Sequence, residues 1–186
     1  MFWRENPLTE QENHLLNALF FAHNRAAFRP NISTQTVQAT MYGSGDYGKA
    51  IAGAILTLGG VHAPLAATLE LLNQDDPYHA AGRILEAGKK VPGWGSSFVK
   101  GEPDQEWAEI HGLIESMSQP MTEALSRITL RLYEHGKVIY PNPSAYTAAV
   151  AIILHMPQSI VPWLLIAGRL AAWSELCLLT TIQERT

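Results

Sequence analysis

Tyr140-Pro-Asn-Pro-Ser-Ala-Tyr146, with the apolar segment that runs from it to Arg169, decides how this chain folds. A helix is expected from Ser144 to His155 and a second from Ser159 to Leu179. Pro157 and Pro162 bracket the start of the second, an early helical position where proline costs little. Nothing in this region alternates between apolar and polar residues over a length that would suggest a strand.

Outward from this stretch the pattern stays helical. Thr9-Glu-Gln-Glu12 is a capping box, in which the Thr hydroxyl accepts from an exposed amide while Glu12 reaches back. Leu15, Leu16, Leu19 and Phe20 then form a helical stripe, predicting a helix over about 9–27. Arg29-Pro30 ends it, because proline disfavours helix in the residue before it. A second helix begins near Asn31 or Ser33 and closes at the loop Gly43-Ser-Gly-Asp-Tyr47. Residues 47–58 are small and apolar (Ala50, Ala52, Gly53, Ala54), which suggests a buried helix. Further helices are expected over about 63–73, 77–88, 104–116 and 119–135. Gly93-Trp-Gly-Ser-Ser97 reads as a loop. No internal repeat is present, and the predicted fold class is all-α.

The 186 residues suggest a single domain, 1–186, long enough to bury a core. Apolar content of 47% with 16% charged residues fits a globular protein. A net charge of −4 provides no electrostatic footprint for nucleic acid. Cys177 is the only cysteine, which excludes an intrachain disulfide and suits a reducing cytoplasm; among Leu176, Leu178 and Leu179 it reads as a packed core thiol. The N-terminus lacks the apolar run of a secretory signal. The longest apolar run, residues 160–168, stops at Arg169, about half of the roughly 18 residues a membrane span needs. No membrane association is expected. The seven histidines show no metal-ligand spacing, and no phosphate loop, dinucleotide fingerprint or nucleophile elbow occurs.

Three blocks, in order, resemble the citrate synthase family. Residues 31–72 resemble the stretch from His-Glu-x-Asn-Ala-Ser-Thr to Gly-Pro-x-His-Gly-Gly-Ala-Asn-Glu, through Asn31, Ser33, Thr34, Gly59 and His62. Residues 93–105 resemble the Gly-Phe-Gly-His-Arg-Val-Tyr-Lys loop, through Gly93, Gly95 and Lys100. Residues 140–173 resemble the Tyr-Pro-Asn-Val-Asp-Phe-Tyr region and the helix after it, through Tyr140, Pro141, Asn142, Tyr146, Pro157, Arg169 and Trp173. The resemblance implies a compact citrate-synthase-like helical core, about 31–180, lacking the N-terminal part of the large domain. It implies no permanently bound cofactor, a coenzyme A thioester as substrate, and a carboxylate-containing small molecule beside it. A homodimer, or a heteromer with a related subunit, is implied too.

The family's chemistry needs a base for a weakly acidic methyl group and a donor for the enolate oxygen. Guanidinium forks hold the carboxylates. By resemblance, His62 stands at the enol-stabilising position and Arg169 at one carboxylate-binding position. Asn31 and Trp94 are expected to meet substrate, and Gly93, Gly95 and Lys100 to meet the coenzyme. The family base Asp falls on Ser144, and the carbonyl-polarising His falls on Ser96. A substrate-binding His falls on Phe28 and a carboxylate-binding Arg on Gln105. Losing one acid–base group typically costs about 10²–10⁴ in rate, so ordinary citrate synthesis is not the expectation.

Asp104 and Glu102 are the nearest candidates for a substitute base, or else solvated loop charges. His62 reads either as the enol donor or as a core histidine bonded to a carbonyl. Ser96 and Ser97 either donate to a ligand oxygen or only shape a loop. Arg169, alone on an apolar helix, requires a partner: a ligand carboxylate or an internal acid such as Glu175. Three functions follow: an atypical acyl-CoA carbon–carbon enzyme of transferase or lyase type, a degenerate subunit that binds a CoA ester or a partner, or an assembly protein on the inherited fold.

Overall fold

A computed structural model describes residues 6–58, 64–96 and 98–183. The described residues form nine α-helices and one short 3-10 turn, with a single isolated bridge and no strand, which agrees with the all-α expectation. In chain order the helices are α1 (Glu10–Ala26), α2 (Ile32–Ser44), α3 (Tyr47–Leu56), α4 (Leu65–Leu72) and α5 (Pro77–Glu86). After the turn Gln105–Trp107 come α6 (Ala108–Met117), α7 (Gln119–Glu134), α8 (Pro143–Ile153) and α9 (Val161–Gln183).

The starts follow from local chemistry. The Thr9–Glu12 capping box forms in both directions, at 3.2 and 2.7 Å. Asn31, Asp46, Asp76, Ser118 and Asn142 each accept a backbone N–H at the start of α2, α3, α5, α7 and α8. Proline occupies the first turn of α5, α7 and α8, where its missing N–H is not needed.

The chain folds as two compact units. The first joins residues 1–19 to 64–162, and the second joins 20–63 to 163–186. In the first unit α8 is the central helix, and α4, α6 and α7 pack against it. Its residues from Ser144 to Ala151 are all buried. Ala145, Ala148, Ala149 and Ala151 keep it thin enough for neighbours on every side. Between α5 and α7, Gly82 leaves room for a guanidinium: a Cβ there would lie 2.8 Å from Arg131 Nε.

In the second unit α2 and α3 pack as a hairpin. Ala27, Val37, Met41, Ala50, Ala54, Ala172, Trp173 and Cys177 form its core. Cys177 is a free, buried thiol whose pKa is raised by burial, as its leucine neighbours suggested. The expectation of a buried α3 is corrected: only Ala50 and Ala54 are fully buried, and Leu56 is 85% exposed. Small residues permit a close approach, and α2 takes it at Gly53, where a Cβ would lie 3.0 Å from Thr36 Cγ2. They do not require burial on the other faces. By length and composition, residues 161–182 of α9 could cross a membrane, because Arg169 does not outweigh the apolar residues around it. Leu164, Leu165, Ala172, Trp173, Leu176 and Cys177 are nonetheless buried within the protein, as in a core helix.

α8 ends in a left-handed cap. His155 has φ 52°, Met156 N–H donates to Ala151 C=O at 2.8 Å, and His155 N–H donates to Ile152 C=O at 3.0 Å. Glycine is the usual residue there, since a side chain in this conformation costs about 1–2 kcal/mol. His155→Gly is therefore expected to raise unfolding stability by about 1 kcal/mol in urea titration; an unchanged or lower midpoint would show that the imidazole earns its place through contacts instead.

Candidate functional site

The expected site residues fall into two groups, one in each unit. In the first unit they gather around Asn142, which ties two distant segments together. Its Nδ2 donates to Gly95 C=O at 2.9 Å, and its backbone N–H donates to Gly93 C=O at 2.9 Å. Its Oδ1 accepts from Ser144 N–H at 2.9 Å, and its C=O accepts from Ala145 N–H. Gly95 N–H donates to Tyr140 C=O, completing the antiparallel bridge between Trp94 and Pro141. Gly95 and Ser144 are thus joined by the Asn142 side chain, and Gly93 and Trp94 by the backbone of Asn142 and its neighbours.

Gly93 and Gly95 both have positive φ, 85° and 90°. At Gly93 a Cβ would also stand 2.5 Å from Thr68 Cγ2 and 3.3 Å from Ala145 Cβ. Only glycine fits between α4 and α8. Trp94, expected to meet substrate, is instead nearly buried, with its indole N–H donating to Thr129 Oγ1 at 3.0 Å. Its role is to anchor the loop on α7. Ser96 Oγ accepts from Phe98 N–H and Val99 N–H, so its oxygen shapes the turn that leads toward Lys100. Lys100 itself is exposed.

Beside Tyr140–Pro141 lies a cavity of about 390 Å³, whose walls include Asp104, His111, Leu125, Thr129, Tyr140 and Tyr146. Tyr146 stacks on buried Trp107 with centroids 5.6 Å apart, and His111 meets its edge at 6.1 Å. Burial, with the Asp104 carboxylate second, pushes the Tyr146 phenol up to about 12, so it remains an O–H donor at neutral pH. Asp104 is half-buried at the cavity wall, whereas Glu102 is exposed. His111 Nδ1 is buried and has no hydrogen-bond partner among the described residues. Sequence reasoning missed His111 and Tyr146 as a pair, because 35 positions separate them and neither lies in a recognisable ligand spacing.

In the second unit, Arg169 Nη1 donates to Ser33 Oγ at 3.2 Å, and Ser33 Oγ donates to Asn31 Oδ1 at 2.6 Å. Asn31, expected at the substrate, uses both ends of its amide within the protein. Oδ1 also accepts from Thr34 N–H, and Nδ2 donates to Ala26 C=O and Arg29 C=O. It therefore positions Ser33, and Ser33 positions Arg169. Burial lowers the Arg169 pKa to about 10, still fully charged at neutral pH. Among the described residues no carboxylate pairs with it, and Glu175 is exposed. Arg169 Nε and, one helical turn on, Trp173 Nε1 are buried donors without an acceptor among the described residues. His62, the expected enol donor, lies outside the described residues, as does Ser97.

Among the described residues no group of metal-ligating side chains occurs. The family described as citrate synthase, C-terminal domain, matches residues 1–178. In fold the chain is similar to citryl-CoA lyase from Hydrogenobacter thermophilus, with TM-score 0.80 and 16% identity over 94% of this chain and 71% of that one. It is also similar to citrate synthase from Thermotoga maritima MSB8, with TM-score 0.77 and 19% identity over 92% and 49%. A citrate synthase from Thermoplasma acidophilum, in ternary complex with carboxymethyl coenzyme A and oxaloacetate, gives TM-score 0.73 and 20% identity over 92% and 49%. The chain thus spans about half the length of these two citrate synthases. No curated protein matches.

Two outcomes are expected here. Gly93→Ala combines a positive φ with a clash and is expected to destabilise by about 2 kcal/mol or more in urea titration. Thr68→Ser, which removes the clashing methyl, should recover part of that loss; no recovery would assign the whole cost to φ. His23, fully buried, has its pKa held well below 6.5 by burial first and by the Arg169 charge second. The unfolded chain therefore binds the extra proton, so His23's contribution is fully present above pH 6.5 and is lost as pH falls below it toward the depressed folded pKa. Stability should fall by up to about 1.4 kcal/mol per pH unit in that window. Comparing wild type with His23→Phe at pH 7.5 and 5.5 checks it: equal slopes would assign the acid sensitivity elsewhere.

Proposed function

The chain belongs to the citrate synthase family, and on that premise we propose that it acts on an acyl-CoA thioester, forming or cleaving a carbon–carbon bond beside the thioester carbonyl. The observation that carries this reading is Arg169. It is a half-buried guanidinium with a buried, unpartnered Nε, no carboxylate paired with it among the described residues, and Ser33 holding one of its other nitrogens. A buried charge left uncompensated costs several kcal/mol. A carboxylate on the second substrate would supply the counter-charge and accept from the unused N–H groups.

In the forming direction, a proton leaves the carbon next to the thioester. The resulting enol attacks a keto carbon, and the keto oxygen gains a proton. The lyase direction reverses these transfers. His62 would hold the enol oxygen. Ser144 is not a base on its own, and its backbone N–H is already given to Asn142. Among the described residues that line the cavity, Asp104 is the carboxylate that would accept the proton, whereas Glu102 is solvated. Ser96, at the position where the resemblance expects a histidine, spends its oxygen on the turn, so polarisation of the keto carbonyl would require another group.

A second reading is a CoA-ester-binding or interaction subunit, favoured by the serines at 96 and 144. The exposed apolar side chains of the second unit, among them Phe21, Leu56, Leu178 and Ile182, suit pairing with a second copy or a related subunit. A cytoplasmic location accords with the free, buried Cys177.

Calorimetric titration with acetyl-CoA, free CoA and oxaloacetate tests the proposal. The thioester should bind and lose at least tenfold in affinity in His62→Ala. Oxaloacetate should bind, and its heat should vanish in Arg169→Gln while thioester binding persists. Binding of the thioester without oxaloacetate, and without turnover, would favour the binding-subunit reading. Binding of neither would retire both. Sedimentation of the same samples reads the oligomer: a monomer would remove the paired-subunit reading.

A further inference from the structure

The second substrate's carboxylate has a natural counterpart in Arg169, but the cavity in the first unit has a different character. Among the described residues its lining contains neither lysine nor arginine, and the permanently charged group there is the Asp104 carboxylate. A carboxylate would be repelled there. Its volume of about 390 Å³ falls within the range of about 300–1,000 Å³ typical of small-molecule pockets. At roughly 30 Å³ per heavy atom, the share a water takes in the liquid, that space holds about a dozen atoms. An acetyl group has three.

The walls suit a flat or extended apolar group. Tyr140 and Tyr146 contribute rings, Pro103 and Pro141 their ring edges, and Leu125 and Ala108 alkyl surface. Tyr146 is held rigid by its stack on Trp107, so the wall is preformed. Several wall polar groups are already engaged: Thr129 Oγ1 donates to Leu125 C=O and accepts from Trp94, while Asp104 Oδ1 accepts from Glu106 N–H. The cavity lies between two segments that each adjoin the 93–100 loop. One wall is Tyr140–Pro141, which pairs with Trp94 and Gly95. The other begins at Pro103, three residues after Lys100.

We propose that this cavity receives the acyl group of the thioester, and that the substrate class is a CoA ester whose acyl group is uncharged, apolar and considerably larger than acetyl, a medium-length alkyl or an aryl group of about ten heavy atoms. The proposal rests on the acyl-CoA reading above and narrows it. It assigns Leu125, Tyr140 and Tyr146 to acyl-group selection.

The test uses the full chain and four probes: free CoA, acetyl-CoA, octanoyl-CoA and octanamide, the last presenting the acyl group without the coenzyme. Octanoyl-CoA is expected to bind at least tenfold more tightly than acetyl-CoA. Octanamide is expected to shift the ring resonances of His111 and Tyr146. Ala108 and Ser126 are exposed at the cavity mouth, so Ala108→Phe and Ser126→Trp fill it without cutting the core. Either variant should abolish the preference for octanoyl-CoA and the octanamide shifts while leaving the affinity for free CoA unchanged. Binding of CoA with equal affinity for acetyl and octanoyl esters would overturn the acyl assignment and leave the acyl-CoA reading standing. Failure of every CoA species to bind would retire that reading and, with it, the acyl role; octanamide shifts in the same sample would then show only an unassigned apolar pocket. A preference for octanoyl-CoA that survives both cavity-filling variants would place the acyl group elsewhere and overturn the assignment.

Discussion

One asparagine ties the loop 93–96 of the first unit to its central helix. Asn142 caps α8 with its carbonyl oxygen, grips Gly95 with its amide nitrogen and receives Ala145 on its backbone oxygen. Each link is an ordinary hydrogen bond, worth about 1 kcal/mol net. Their effect is cooperative because they share one rigid group. The loop 93–96 cannot shift without uncapping the helix that forms the core, and the helix cannot rotate without pulling the loop. Aspartate at this position would lose the donor to Gly95, and serine could not span both partners. Positions 96 and 144 are thereby fixed on a frame that does not depend on their side chains.

The same frame separates positions that the fold dictates from positions that it leaves open. Glycines 93 and 95, Asn142 and Tyr146 are held by sterics, backbone geometry or packing, and a replacement would disturb the fold. Positions 96 and 144 need only fit a turn and a helix start, which serine does well. Arg169 differs from both sets. Its environment exacts a penalty for burial and offers only Ser33 in return among the described residues, so nothing in the fold alone accounts for a guanidinium there. Asn31 shows the same logic at one remove, spending its amide on helix α2 so that the Ser33 hydroxyl is aimed.

Much of the fold was legible in the sequence because its signals are local. Thr9 and Asn31 announce helix starts within three residues of where they act. Residues 47–58 misled because small side chains speak of close approach on one face and are silent about the others. The site was less legible. That Trp94 would spend its N–H on Thr129, 35 residues away, depends on how α7 is seated, which no local pattern encodes. Glu102 and Asp104 are chemically alike and two positions apart; burial alone distinguishes them, and burial is a property of the assembled unit.

The thin central helix has a consequence for how the first unit opens. From Ser144 to Ala151, α8 has no face turned to solvent. It lacks the charged stripe that lets an amphipathic helix persist when its neighbours depart. Its amides are consequently protected only as long as α4, α6 and α7 remain packed on it, and they exchange with solvent through concerted opening of the unit and not through fraying at the surface. The slowest-exchanging protons of the unit therefore belong to the segment that begins beside Asn142. A ligand that tightens the loop 93–96 against Asn142 would be felt across that whole segment as slower exchange, far beyond the residues it touches.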